Sequence, residues 1–271
     1  MAAVVEAVRA NDPERFKSLF GPEAQFFVGL TEPERSAAQR LRFLALAEEA
    51  VNLVAKDENT RVVQIGKVAW PLAIPITRSG QTWQFDLVAG KDEILNRVVG
   101  ENELAAIEAC GAYVRAQLEY MLADRDGDGV FEYAQRFGSS PGKRDGLYWE
   151  GERQSDRGPL PSWFANAAFD PAVPGVAAVK RDPSYGYLFR ILTRQGAAAP
   201  GGAHGYVING NMIAGHAMVA FPERWGESGV MTFIVGVNGR VYQKNLGPNT
   251  AALARQLAEF NPDATWKPVA E

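Results

Sequence analysis

The sequence predicts an α+β fold in two parts, each of which begins with helices and continues into antiparallel strands. Apolar residues recur at three- and four-residue steps over 31–55 and 102–123, which is the period of a helix with one buried face. Short runs rich in β-branched and aromatic residues follow at 61–88 and 185–244, separated by Gly, Pro and Asn. Groups of helices followed by groups of strands favour an α+β class over a regular strand–helix alternation.

The length of the chain fits this division. At roughly 100–200 residues per domain, 271 residues correspond to one large or two modest domains. We place the boundary near Gly100. The first predicted domain, 1–100, holds helices and a β-hairpin region. The second, 101–271, holds a long helix, an acidic loop, an irregular connection and an antiparallel sheet.

The composition restricts the partners that we expect. The net charge is only −4 and the basic residues are scattered, so we expect no nucleic-acid partner. No stretch reaches the roughly 18–20 apolar residues that span a bilayer, so we expect no transmembrane segment. The opening residues, MAAVVEAVRAND, lack the charged region and the apolar run of a signal peptide, so we expect either a cytoplasmic protein or one whose signal peptide has been removed.

Helix-capping signals mark the helices of the first part. Asp12 before Pro13 predicts a short helix that begins with a capped turn. Thr31 and Glu34 have the spacing of a capping box, and they precede a long helix that we expect to run to about Ala55.

Three runs after this helix predict strands, at 61–68, 72–78 and 82–88. Pro71 and Pro75 indicate that the middle run is an edge strand or a bulged one, because proline cannot donate to a sheet ladder. A short helical connector is expected next, over 90–100.

The second part begins with the long helix predicted over 102–123. A stretch rich in Gly, Pro, Asp and Arg follows at 138–184, and we expect an irregular connection there. The pair Asn238 and Gly239 predicts a hairpin turn, because both residues tolerate positive φ. Further strands are expected at 185–193, 204–208, 213–221, 229–237 and 240–244, with a closing helix at 249–260.

One group of residues directly after the long helix has the spacing of metal ligands, in the sequence DRDGDGVFE. Aspartates at alternate positions can direct their oxygens to one centre, glycine at the sixth position allows a sharp turn, and a backbone carbonyl falls at the seventh. Hard carboxylate oxygens suit calcium better than zinc or copper. The predicted ion is calcium, and the predicted ligands are Asp124, Asp126, Asp128, Val130 and Glu132.

The end of this loop departs from a complete EF-hand. The twelfth position is Gln135, where an EF-hand has a bidentate glutamate, and Glu132 at the ninth position can substitute in part, directly or through water. Gly138 and Pro141 leave room for only a short exit helix. The alternative interpretation is a polar Asp/Gly turn that ends the preceding helix without a metal.

The residues that carry nucleophilic catalysis are poorly represented. His204 lies in a glycine-rich loop and His216 in an apolar strand, and neither is close in sequence to a nucleophile motif. The single cysteine, Cys110, lies among apolar neighbours, where a free cysteine packs as a small hydrophobic residue. We expect structural roles for all three, and binding more than catalysis for the protein.

A series of longer motifs runs through nearly the whole chain. The earlier ones are WPLAIP at 70–75, WQFD at 83–86, EILNR at 93–97 and NELAAI at 102–107. Later ones are EYA at 132–134, GLYW at 146–149, YLFRIL at 187–192, SGVMTF at 228–233 and GRVYQKNLGP at 239–248. Together they resemble DUF2950, a bacterial family of unknown function.

This resemblance implies export. Proteins of this kind look like exported proteins of Gram-negative bacteria that are made with a signal peptide. A periplasmic or secreted location is therefore expected, with Met1 standing in place of a removed signal. Such a location suits a calcium loop, because calcium is scarce in the cytosol. The family has no assigned catalytic residues to carry over.

Two weaker resemblances concern the fold. The helices and strands of the first part are similar to half of an NTF2-like cone. The long helix, acidic loop and strands after Gly100 are similar to the globular head of a type IV pilin or pseudopilin, although a pilin has an apolar stem where this chain has another region. A shared fold does not by itself imply a function.

We therefore expect a non-catalytic periplasmic or envelope protein, in which a calcium-braced C-terminal region binds a protein partner or forms a homo-oligomer. The alternative is a small-ligand binder or an enzyme, because aromatic side chains line pockets as well as cores. The residues that would line its pocket are Trp70, Trp83, Tyr148 and Trp149.

Overall fold

A computed structural model describes residues 1–21, 24, 33–153, 156–165 and 186–270. In this part of the chain, helices combine with antiparallel sheets, so the predicted α+β class is confirmed. The chain divides into two compact units, Met1–Val98 and Val99–Glu271, which we call the N-terminal unit and the C-terminal unit. No helix among the described residues is both long enough and apolar enough to cross a membrane.

Among its described residues, the N-terminal unit contains three complete helices, the beginning of a fourth and one antiparallel sheet. The complete helices are α1 Ala2–Ala10, α2 Pro13–Phe20 and α3 Pro33–Glu49. The strands are β1 Val51–Ala55, β2 Thr60–Ile65, β3 Trp70–Pro71, β4 Ile76–Ser79 and β5 Thr82–Phe85. The sheet has the order β1-β2-β4-β5, and β3 also pairs with β2.

Asp12 caps α2 in the way that the sequence predicts. Its side chain accepts hydrogen bonds from the N–H groups of Glu14 and Arg15, both at 3.1 Å, and Pro13 lies in the first turn. The cap therefore satisfies donors that a helix start leaves without partners. The capping threonine predicted at position 31 lies outside the described residues.

The long helix predicted to reach Ala55 ends earlier, and that prediction is wrong. α3 ends at Glu49, and the next residues form β1, which pairs along its whole length with β2. Val51 and Val54 fit a helical stripe, but β-branched residues also favour strands. Pairing with β2 decides between the two structures, and the paired residues of β2 lie six to fourteen positions further along the chain.

Of the strand predicted over 72–78, only the residues from Ile76 onward lie in a strand, β4, which pairs with both β2 and β5 and is therefore not an edge strand. β3 ends at Pro71, and β4 begins at Ile76, directly after Pro75. Because proline lacks the N–H that a ladder needs, the intervening residues stay outside the regular pairing.

One continuous helix, α4 Leu87–Tyr120, replaces the predicted connector and the predicted helix that follows it. Asp86 starts this helix, because its carboxylate accepts the N–H of Ala89 at 2.9 Å. Gly100 lies inside α4 without interrupting it, since a glycine costs a helix only about 1 kcal/mol relative to alanine. The division between the two units therefore falls within a helix.

The C-terminal unit is built on a five-stranded antiparallel sheet. The described strands of the unit are β6 Tyr187–Leu192, β7 Arg194–Gln195, β8 His204–Gly205, β9 Val207–Ile208, β10 Asn211–Met212, β11 Ala217–Pro222, β12 Met231–Gly236, β13 Val241–Asn245 and β14 Lys267–Pro268. The order of the main sheet is β14-β13-β12-β11-β6, while β7 pairs with β8 and β9 with β10. Two short helices, α5 Ser162–Ala165 and α6 Thr250–Gln256, complete the unit.

Both faces of the five-stranded sheet are buried in hydrophobic cores. One core joins the sheet to α4, with Ala109, Cys110, Tyr113, Phe189, Phe233 and Val235 among its residues. The other joins the opposite face to α6 and the closing segment, with Leu188, Val219, Phe221, Ile234, Ala254 and Phe260 among its residues. The C-terminal half of α4 is thus held firmly by the sheet, and its end carries the acidic loop.

Candidate metal site and its surroundings

The acidic loop begins where α4 ends, and Arg125 closes that helix end. The Arg125 guanidinium donates to the backbone carbonyls of Glu119 and Tyr120 at 3.2 and 3.3 Å. Carbonyls in the last turn lack regular helical donors, so these bonds satisfy them. Gly127 and Gly129 then take φ values of 81° and 89°, the left-handed region that glycine adopts without strain.

Three carboxylates come together in this loop. Asp124, Asp126 and Asp128 each offer one oxygen atom, and these atoms lie within 4.8 Å of one another. Oxygen atoms bound to one calcium at 2.3–2.6 Å can be separated by at most about 5 Å. The three aspartates are therefore close enough together to hold one cation, and their side chains are exposed to solvent.

Hydrogen bonds fix the orientation of two of the carboxylates. Asp124 accepts the N–H groups of Gly127 and Gly129 at 2.8 and 3.0 Å. Asp128 accepts the N–H of Val130 at 2.8 Å and the side-chain amide of Asn211 at 2.8 Å. An ionised carboxylate has about four lone-pair sites, so these bonds leave each group able to bind a cation.

Glu132 stands apart from this cluster. Its side chain is buried, and its Oε2 accepts the backbone N–H of Met212 at 2.7 Å. Burial raises the pKa of Glu132, the charges of Asp126 and Asp128 raise it further, and the Met212 hydrogen bond opposes both. The structure thus gathers the three predicted aspartates, and places Glu132 next to the hairpin formed by β9 and β10.

Several hydrogen bonds connect the segment after the aspartates to that hairpin. The N–H of Tyr133 donates to the carbonyl of Met212 at 2.8 Å. Gln135, at the twelfth position of the loop, donates from its side chain to the carbonyl of Gly210 at 2.6 Å. Gln135 therefore helps to hold the hairpin, a role that the EF-hand comparison did not suggest.

The family match spans the whole of this architecture. The family described as "Protein of unknown function (DUF2950)" matches residues 1–269. The chain belongs to the DUF2950 family. The resemblance drawn from the sequence motifs is thereby confirmed over nearly the whole chain.

None of the curated proteins and none of the solved structures matches this DUF2950 chain. The similarities to half of an NTF2-like cone and to a pilin head therefore stay predictions.

Gln117 is a residue that sequence reasoning missed. It is fully buried on α4, donates from Nε2 to the carbonyl of Ala134 at 2.8 Å, and accepts the N–H of Ala134 at 2.8 Å. Its Nε2 also donates to the hydroxyl of Tyr113 at 3.1 Å. The only signal in the sequence was a polar residue on the apolar side of a predicted helix.

The two histidines of this DUF2950 protein have different surroundings. His204 is exposed, with ring nitrogens 3.2 and 3.3 Å from the carbonyl oxygens of Gly202 and Ala214. His216 is fully buried, its ring nitrogens make no hydrogen bond to the described residues, and the rings of Tyr113 and Tyr133 contact it edge-on. Burial lowers the pKa of His216 to about 4, so it is neutral at physiological pH.

The four aromatic residues proposed as one pocket belong to different units. Trp70 and Trp83 lie in the N-terminal unit, whereas Tyr148 and Trp149 lie in the C-terminal unit. Tyr148 and Trp149 line an open depression of about 440 Å³ together with the loop that precedes them.

Proposed function

We propose that this DUF2950 protein is a non-catalytic exported protein, in which the loop from Asp124 to Glu132 binds calcium. The calcium-bound loop would brace the C-terminal unit for binding a protein partner or a second copy of the chain. The observation that supports the calcium site most directly is the approach of three carboxylate oxygens to within 4.8 Å of one another.

Electrostatics favours a cation at this position. Three carboxylates held so close repel one another when no cation is present, and a divalent cation replaces that repulsion with attraction. The negative charges of Asp126 and Asp128 also contribute to raising the pKa of the buried Glu132, after burial itself. A bound calcium would also neutralise part of the negative charge next to Glu132. It would therefore stabilise both the loop and the ionised form of this glutamate.

The contacts of the loop explain how an ion there would brace the unit. Arg125 fixes the beginning of the loop to the end of α4. Asp128 is bonded to Asn211, and Glu132 to Met212, so both ends of the acidic segment are tied to surrounding structure. Fixing the three aspartates would therefore restrain the helix end and the β9–β10 hairpin at once.

Calcium-dependent thermal stability tests the site. A ligand that binds only the folded state stabilises it by about 2.7 kcal/mol at a hundredfold excess over its dissociation constant, which corresponds to roughly 5–10 °C in Tm for a chain of this size. We expect Tm to rise in calcium and to fall in a chelator. Magnesium should act weakly, because it requires a smaller and more regular oxygen shell.

A matched pair of variants makes this test specific. Asp126→Asn keeps the shape of the side chain but removes one ligand charge, and it should abolish the calcium-dependent rise in Tm. Asp92→Asn makes the same change at an exposed position of α4 in the N-terminal unit, and it should keep the full rise. Equal melting curves for the unaltered protein in calcium and in chelator would contradict the calcium proposal.

Export and partner binding need separate measurements. Cell fractionation of the full-length native gene product should place it in the periplasm or the medium, and retention in the cytosol would contradict export.

Size-exclusion chromatography with light scattering, in calcium and in chelator, should reveal a calcium-dependent oligomer if the partner is a second copy. A monomer in both conditions, together with no capture of envelope proteins, would contradict the binding role.

A further inference from the structure

The depression next to Trp149 has the size of a small-ligand site. Its volume is about 440 Å³, within the range of about 300–1,000 Å³ that is usual for such sites. One wall is the turn at 138–144, and the other consists of Tyr148, Trp149 and Glu150. All of these residues belong to the C-terminal unit.

A hydrogen-bonded network holds the turn in place. The carboxylate of Asp145 accepts the N–H of Ser140 at 2.7 Å and the hydroxyl of Ser140 at 2.8 Å, and it pairs with Arg136 at 3.3 Å. Although burial opposes it, these hydrogen bonds and the Arg136 charge lower the pKa of Asp145. The depression is therefore preformed, and the negative charge of Asp145 is already paired with the positive charge of Arg136.

Two cationic side chains at the rim have no carboxylate partner among the described residues. Lys143 and Arg144 are exposed and line the depression. Among the described residues, neither forms an ion pair, in contrast to Arg97, Arg136 and Arg194. The lining includes one carboxylate, Glu150, so the charged groups around the depression sum to a net positive charge.

The ring of Trp149 contacts two guanidinium groups, of which that of Arg144 lines the depression. Its indole Nε1 donates to the carbonyl of Asp156 at 2.8 Å, which fixes the plane of the ring. The guanidinium carbons of Arg144 and Arg125 lie 5.6 and 5.9 Å from the ring centroid. Such cation–π contacts reduce the number of positions that a guanidinium group can occupy, and so prepare it for a ligand.

We propose that this depression binds a sugar-sized organic oxyanion. Lys143 and Arg144 would pair with its carboxylate or phosphate group, because a guanidinium fork matches both geometries. Tyr148 and Trp149 would contact the body of the ligand, since aromatic faces pack against flat saccharide and ring surfaces. The site involves none of the three clustered aspartates, so it stands independently of the calcium proposal.

Isothermal titration calorimetry with the full chain tests this site with three named probes. Glucuronate carries a carboxylate, glucose 6-phosphate carries a phosphate, and glucose has the same body without a charge. We expect saturable one-to-one binding of one of the two anions, with a dissociation constant below about 1 mM, and at least tenfold weaker binding of glucose. The anion that binds more tightly identifies the charged group that the site prefers.

Variants connect the binding to the residues named. The double change Lys143→Gln and Arg144→Gln should weaken binding of the preferred anion at least tenfold. Lys267→Gln alters an exposed lysine on β14 and should leave binding unchanged. Because all three side chains are exposed, the variants should fold normally, which their melting temperatures will check.

Three results would overturn the proposal: no anion binding below about 1 mM, equal binding of glucose and both anions, or full binding by the double variant. Inorganic phosphate serves as a fourth probe, and binding of it as tight as that of glucose 6-phosphate would overturn the role of Tyr148 and Trp149.

Discussion

The buried carboxylate of Glu132 accepts the backbone N–H of Met212 at 2.7 Å, across 80 positions of sequence. This bond joins the end of the acidic loop to the β9–β10 hairpin. Met212 is itself fully buried, so its N–H has little access to water as an alternative acceptor. The pair therefore fixes the position of the loop relative to this hairpin, which lies in the chain between β6 and β11 of the five-stranded sheet.

Replacing Glu132 tests this connection. Glu132→Ala leaves the Met212 N–H without its acceptor, and an unsatisfied buried donor costs about 1–3 kcal/mol. Glu132→Gln keeps an acceptor oxygen and removes a charge whose pKa burial has raised, so it should cost less. Urea denaturation in chelator measures both, with Glu108→Ala, an exposed glutamate of α4, as the control. Equal losses for the two Glu132 variants would contradict the role of the hydrogen bond.

Gln117 joins α4 to a segment 17 positions further along the chain, and its contribution to stability can be measured. Its side chain pairs with both backbone groups of Ala134, so Gln117→Leu leaves a buried N–H and a buried carbonyl without partners. At about 1–3 kcal/mol for each group, we expect a loss on the order of 3 kcal/mol in the free energy of unfolding. Leu118→Ala, at a neighbouring exposed position, should cost much less, and the reverse order would contradict this account.

The features that the sequence predicted well are local. Asp12 caps its own helix within three residues, and the aspartates of the acidic loop approach one another because they alternate over five positions. Each of these needs only neighbours in sequence, and propensity and periodicity describe such neighbours.

The features that sequence reasoning missed depend on distant partners. Val51 and Val54 suit either a helix or a strand, and only β2 determines that they form β1. Glu132 was considered as a metal ligand, whereas its contact with Met212 depends on a hairpin 80 positions away. Gln117 gave a polar signal, but its partner Ala134 lies beyond a loop. No periodic pattern carries this information.

Backbone conformation in the acidic loop gives a third prediction. Gly129 has φ of 89°, and a Cβ there meets no described atom within 4 Å. Gly129→Ala should therefore destabilise the protein by about 1–2 kcal/mol through conformational strain alone. Gly100, inside α4, likewise has free space for a Cβ but has a helical conformation, so Gly100→Ala should stabilise by about 0.5–1 kcal/mol. Thermal unfolding in chelator compares the two, and changes of the same sign would contradict the assignment of strain to Gly129.

The buried His216 gives a prediction about pH. Its pKa is lowered by burial to about 4 in the folded protein, below the ordinary value of 6.5. The unfolded chain therefore binds a proton more readily than the folded chain, and the free energy of unfolding falls as pH decreases from about 6.5 to about 4. Between about pH 7 and pH 4.5 this group alone should remove about 2 kcal/mol.

Carboxylates titrate in the same range, so the contribution of His216 must be isolated by difference. His216→Phe keeps an aromatic ring between Tyr113 and Tyr133 and cannot take up a proton. Urea unfolding at both pH values should show that the unaltered protein loses about 2 kcal/mol more than the variant. An equal loss in the two proteins would mean that His216 does not titrate differently on folding, and would contradict its burial without a hydrogen-bond partner among the described residues.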